Sequence, residues 1–207
     1  MTLKMATSAS PKQLTAPAVL RAATQLGVVP SGADVSRRGE VRWQAEGLAY
    51  LGWISKDAAG MLAWHLNVGD AKFGSALEKY GRMSVPVRSA TNEMSWPQAV
   101  DDSLEEFLRE GLGRAAHFVA DRTDLCELLS SSEDVHQGNL YAWLPVANYP
   151  ARLVQSLVLA RDTGSSALES RIRGQLAQEP IRLSNGRFMD VMVGQGVGES
   201  IFKSARV

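Results

Sequence analysis

RAAHFVADRTDLCELLSSSEDVHQGNLYAWLPVANYPARLVQSLVLARD, residues 114–162, is the stretch whose reading decides the fold. It holds two of the three histidines, the only cysteine and the densest apolar clusters of the chain. Ala115 to Ala120 has the character of a short strand, and it meets the polar loop Asp121-Arg122-Thr123-Asp124. A helical run follows from Leu125 to Ser131, with Thr123 or Asp121 placed as its N-cap. A second apolar block extends from Leu140 to Val158. A strand leading into a polar loop and then a helix is a place where α/β proteins set ligand sites. Asp121, Arg122, Asp124 and His136 are therefore the candidate catalytic residues. Carboxylates beside a histidine suit Mg²⁺ or Mn²⁺ as readily as they suit helix capping. No cofactor or metal is assigned.

Outward from that stretch, 207 residues suit one domain, with 45% apolar and 21% charged residues. Residues 1–13 read as a flexible N-terminal tail and 14–207 as a single α/β domain of the α+β kind. It should contain a small mixed sheet, several amphipathic helices and a C-terminal β-hairpin. The formal net charge of zero hides a segment, residues 99–134, with 3 basic and 10 acidic groups between positively charged flanks. That segment is either a solvated face or a contact for a partner with a basic surface. Its helix carries Val100, Leu104, Phe107, Leu108 and Leu112 as an apolar stripe, with Asp102, Glu105 and Glu106 opposite. These three carboxylates are the candidate partner-binding residues. Glu105 and Glu106 point about 100° apart on a helix, so they form no tight catalytic dyad.

A single cysteine, Cys126, excludes an intramolecular disulfide, and its place beside Leu125, Leu128 and Leu129 marks it as a small buried hydrophobe. No apolar run approaches the ~18 residues a membrane span needs, and no signal-peptide pattern opens the chain. A cytoplasmic location without membrane contact is the expectation.

Elsewhere, Val19, Leu20, Ala23 and Leu26 predict a helix that stops at Gly27. Val41 to Ile54, with Gly47 near its middle, reads as two strands or one bulged strand. Asp57 then caps a run in which Met61, Leu62, His65 and Leu66 stand at helical spacing, and His65 reads as a packed ring. A short helix around Leu77 and Tyr80 follows. Ser84 to Arg88 is a strand, placed on an edge because Pro86 has no amide to donate. Ser95-Trp96-Pro97-Gln98, Ser103-Leu104-Glu105-Glu106 and Ser166-Ala167-Leu168-Glu169 match capping boxes, the last opening a helix with Leu168, Ile172 and Leu176. Ser184-Asn185-Gly186 turns the terminal hairpin. In the run from Gly194 to Ser200, Glu199 stands where a phosphate loop would need lysine, which favours a plain turn.

Tyr149-Pro150-Ala151-Arg152-Leu153-Val154 resembles the I-P-A-(K/R)-(L/I)-V strand that closes the ParB/sulfiredoxin fold. Val85-Pro86-Val87, the acidic run from Ser103 to Leu108 and the strand at 115–120 precede it in the superfamily's order. Phe118 to Thr123, with Leu128 and Leu129, is similar to the core of plasmid fertility-inhibition factors. The resemblance spans residues 84–156. It implies an accessory protein of a mobile element that acts on DNA or nucleotides and inhibits conjugative transfer. The superfamily's G-x-(H/R)-R turn is missing, as is a sulfiredoxin-type cysteine, which puts nucleotide hydrolysis in doubt. A rival reading makes Pro150 the start of a helix with Leu153, Val154, Leu157 and Val158 on one face. The alternative function is a non-enzymatic inhibitor or immunity protein that binds and blocks a partner.

Overall fold

Alternation of buried and half-exposed residues builds the sheet around which the chain is arranged. In this computed structural model the described residues are 16–30, 32–56, 61–73, 84–89, 93–95, 105–106, 108–109, 113–137, 140–144, 149–178, 181–182 and 188–189. Helix α1 (Ala16–Gln25) leads into β1 (Asp34–Val35), β2 (Glu40–Ala45), β3 (Leu48–Lys56), β4 (Met61–Asp70), β5 (Ser84–Ser89) and β6 (Glu93–Ser95). Then come α2 (Arg114–Phe118), α3 (Arg122–Ser130), β7 (Val135–Gln137), β8 (Leu140–Ala142), α4 (Tyr149–Asp162) and α5 (Ser166–Leu176). The pair β9 (Ile181–Arg182) and β10 (Phe188–Met189) is antiparallel and supplies the expected C-terminal hairpin. The fold class is α+β, with the main sheet ordered β1-β2-β3-β4-β5-β8-β7 and β6 beside β4. Every described pairing is antiparallel, so the sheet is not mixed.

The β2–β3 hairpin is the strand pair expected from Val41 to Ile54. Its two-residue turn places Glu46 at φ 50° and Gly47 at φ 76°, and the strand ends Ala45 and Leu48 pair directly. Two positive φ values match the twist of a tight hairpin. Along β3, Leu48, Tyr50, Gly52 and Ile54 are buried, while Ala49, Leu51 and Trp53 are half-buried. Strand β4 repeats this, with Trp64, Leu66 and Val68 buried and Ala63, His65 and Asn67 half-buried. The helix expected over Met61 to Leu66 is therefore a strand. A short window satisfied both spacings, and pairing with β3 from Leu62 to Asp70 selected the period of two.

Proline did not put β5 on an edge. The strand lies between β4 and β8. The Pro86 carbonyl accepts from Trp143 N at 2.9 Å, just past the end of β8, so the missing donor falls where the ladder is ending.

Helices α1, α2 and α3 pack on the buried face of the sheet, where Leu20, Ala23, Val119 and Leu125 join Tyr50, Leu66, Val68 and Val87 in one core. The strand expected over Ala115 to Ala120 is helix α2, two alanines being strong helix formers. Val119, the residue after it, is extended. Residues 149–156 are helical as well, and Pro150 sits in the first turn of α4, where an amide would have no helical acceptor. From Arg152 to Ala160, α4 is buried without interruption, and it packs against α3 and α5. The buried stripe Leu168, Ile172 and Leu176 of α5 is as the spacing predicts. Its capping box is not formed: Ser165 is the N-cap and makes no side-chain cap bond. The Glu169 carboxylate instead pairs with Arg173 at 2.8 Å.

Residues 1–13, 57, 74–83, 96–104 and 190–207 lie outside the described residues, and with them the tail, the helix at Leu77, two capping boxes, Asp102 and the glycine run. Of the acidic helix, Glu105, Glu106 and Leu108 are described as helical, with Leu108 fully buried.

Candidate functional site

The four candidate catalytic residues separate into three settings. Asp121 is the N-cap of α3, its Oδ1 accepting from Thr123 N at 2.7 Å and Asp124 N at 2.9 Å. Asp124 reaches back to accept from Ala120 N at 3.0 Å. Both carboxylates thus satisfy amides that the helix start leaves without partners. Their charge, with that of Glu46, adds to burial in pushing the Tyr50 phenol above its ordinary range. Tyr50 is held inward, donating to the Val119 carbonyl at 3.0 Å.

Arg122 is a brace. Its Nε donates to Asp70 Oδ1 and its Nη1 to Asp162 Oδ2, each at 2.6 Å. Lys72 Nζ donates to the other oxygen of Asp162 at 2.7 Å, and Asp70 Oδ2 accepts from Phe73 N at 2.6 Å. The Asp70 side chain is 0% exposed and that of Arg122 18%. The end of β4, the start of α3 and the end of α4 are therefore tied at one guanidinium. Burial opposes the charge on Asp162, but the bonds from Lys72 and Arg122 outweigh it and hold the carboxyl below its usual range. Arg122 also covers the β2–β3 turn: a Cβ on Gly47 would lie 2.7 Å from Arg122 Cδ. An arginine committed to two carboxylates holds these three elements together, since removing it would leave buried charge uncompensated.

Asp124 and His136 share a cavity. They line a cleft of about 710 Å³ between α2, α3, β7 and α5, together with His117, Glu127, Arg171 and Gln175. Arg171 donates to Ser130 Oγ at 3.2 Å. Gln175 donates to the Ser130 carbonyl at 3.3 Å. His117 Nδ1 donates to the Gly113 carbonyl at 2.7 Å, which leaves Nε2 as the acceptor of the neutral ring. His136 is exposed and stacks on Tyr141 with ring centroids 5.7 Å apart. His117, Arg171 and Gln175 are contributions the sequence reading missed. They come from separate elements, and no local spacing links them to Asp124.

Among the described residues no cluster of three or more metal-ligating side chains forms. Burial pushes the Cys126 thiol up to about 12, and its Sγ donates to the Ser156 carbonyl at 3.2 Å; it is a packing group, not a nucleophile. Arg152, the basic residue of the strand-like motif, lies in α4 and donates to the carbonyls of Leu129 at 3.3 Å and Ser131 at 2.8 Å. It caps the C-terminus of α3. Glu105 pairs with Arg109 at 2.8 Å, while Glu106 is exposed.

The half-buried positions of β3 and β4 define a second surface. Trp53 and His65 face each other in register and stack at 4.9 Å. Ser55 Oγ and His65 Nε2 lie 2.9 Å apart. Leu51, Pro86 and Tyr141 share this face through the register of β3, β4, β5 and β8. Trp143, opposite Pro86, is 43% exposed. No described helix is long and apolar enough to cross a membrane. No family model matches the chain, and no curated protein or solved structure resembles it significantly.

Proposed function

We propose that the chain is a non-enzymatic binding protein that docks a protein partner on the open face of its sheet and acts by blocking that partner. The observation that carries this reading is the aromatic and apolar character of a face that no described helix covers. Leu51, Trp53, His65, Tyr141 and Trp143 are half-buried or exposed there. The outer face of a half-covered antiparallel sheet is normally polar, and exposed apolar patches rimmed by polar groups mark interaction sites. Tryptophan and tyrosine are also the residue types that anchor protein interfaces.

Charge favours a protein over nucleic acid. By register the same face carries Arg42 against Asp34 and Glu40, and Arg42 is paired with Glu40 at 2.8 Å. Phosphate binding needs several uncompensated cations. The DNA- or nucleotide-directed reading comes second. It keeps one supporting observation, the shared cleft of Asp124 and His136, while the strands it needs at 115–120 and 149–156 are helices. Inhibition of conjugative transfer is compatible with either reading, since a transfer apparatus can be blocked by a bound protein.

Affinity capture with the wild type and with a Trp53→Ser/Trp143→Ser double variant tests the reading. A protein retained by the wild type and lost by the variant, at unchanged melting temperature, is the expected result. Equal retention by both, or tight and salt-sensitive binding of a single-stranded oligonucleotide instead, sinks it.

A further inference from the structure

The loop between β1 and β2 is locked by its own hydrogen bonds. Ser36 N donates to the Glu40 carbonyl at 2.8 Å, and Gly39 N to the Ser36 carbonyl at 3.1 Å. Ser36 Oγ accepts from Arg38 N at 3.3 Å and from Glu40 N at 3.1 Å. Gly39 takes φ 82°, the left-handed position that closes a three-residue hairpin loop. Arg37 and Arg38 are thus fixed side by side at a tight tip, and both are exposed. Neither guanidinium has an ion pair or hydrogen bond among the described residues.

This tip adjoins the aromatic face of the sheet. Ser36 bonds Glu40, Glu40 is the register partner of Trp53, and Trp53 is that of His65. These residues form one row across the sheet, and the two arginines close the loop immediately beyond it. The next row holds Asp34, Arg42, Leu51 and Asn67. There the Arg42 charge is met by Glu40 at 2.8 Å. Arg37 and Arg38 therefore supply the uncompensated charge at this end of the face, among the described residues.

We infer that the partner docked on this face presents an acidic protein surface, with an apolar or aromatic contact for Leu51 and Trp53 flanked by carboxylates that pair with Arg37 and Arg38. This rests on the reading of the chain as a binder of protein partners, and it names the partner's chemistry. Protein interfaces set an apolar, aromatic centre inside a polar rim, and arginine is enriched in them. A guanidinium forks onto a carboxylate with two parallel bonds, which adds geometric selectivity to charge. A backbone already fixed by its loop bonds loses little freedom when the partner arrives. Phosphate would also suit the two arginines, but two cations beside Asp34 and Glu40 make a short tract for a nucleic-acid backbone.

Random peptides displayed on phage, selected on the full chain and then synthesised and titrated singly, test the inference. Selected peptides should carry Asp or Glu beside an aromatic or aliphatic residue, and their affinity should fall as salt rises. An Arg37→Glu/Arg38→Glu variant should bind them at least about tenfold more weakly at low salt, chiefly through slower association. Arg37→Gln/Arg38→Gln should fall between the two, and it decides the matter if charge reversal lowers the melting temperature. Selection of no peptide, selected peptides without carboxylates, undiminished binding by both arginine variants, or preferential binding of an oligonucleotide overturns the inference. Peptides lost with Trp53→Ser/Trp143→Ser but held by the arginine variants leave the docking face and remove its acidic partner. Loss with the arginine variants alone removes the docking face, and the inference falls with it.

Discussion

Arg122 is the residue on which the described parts of the chain depend most. Removing one member of a buried ion cluster strands the others without a partner, which costs more than the intact cluster contributes. Arg122→Ala leaves Asp70, fully buried, facing no cation among the described residues. We expect a loss of about 3–5 kcal/mol in urea unfolding, with Arg122→Lys intermediate because an ammonium cannot fork to two carboxylates. A neutral outcome would show that the brace contributes nothing. Asp162 gives the pH dependence. Its folded-state pKa lies below the unfolded value of about 3.9, so its contribution is complete above that pH and lost as pH falls through the folded value. Asp162→Asn should flatten the decline of melting temperature between roughly pH 5 and pH 3 relative to wild type. Parallel curves would remove Asp162 from the acid transition. None of this was legible locally. Asp121 announced itself as a cap because its partners are two and three residues away, whereas Arg122 bonds residues 52 and 40 positions distant.

At the scale of elements, segments with strong local signals read correctly, and those that fit two periods did not. The β2–β3 hairpin, α1, α3 and α5 follow from spacing and turn residues. Strand β4 and helix α2 were exchanged in type, because short apolar runs satisfy both templates until pairing or packing chooses between them. Residues 149–156 carried both a strand motif and a proline-initiated helix pattern. Burial on every side of α4 went with the helix, which satisfies its own backbone hydrogen bonds. The β2–β3 turn supports a prediction of its own. Glu46 sits at φ 50°, where asparagine is far better tolerated than glutamate. Glu46→Asn should raise stability by about 0.5–1 kcal/mol, read as a higher melting temperature. A lower one would mean that Glu46 makes a contact more important than its backbone strain.

The whole molecule is a sheet with two unlike faces. Helices α1, α2 and α3 bury one of them, and the other presents tryptophan, histidine and tyrosine in register. Spacing and turn signals foretold α+β architecture, but not which face the described helices would leave uncovered, because that depends on where the helices return to the sheet. Asp124 and His136 line one cleft, yet its wall from α5 is far off in sequence. The most direct test of the docking face is hydroxyl-radical footprinting of the free chain and of the complex with its captured partner. Oxidation of Trp53 and Trp143 should fall several-fold on binding, while buried Trp64 stays protected in both states. Unchanged oxidation of Trp53 and Trp143 in the complex would contradict the account.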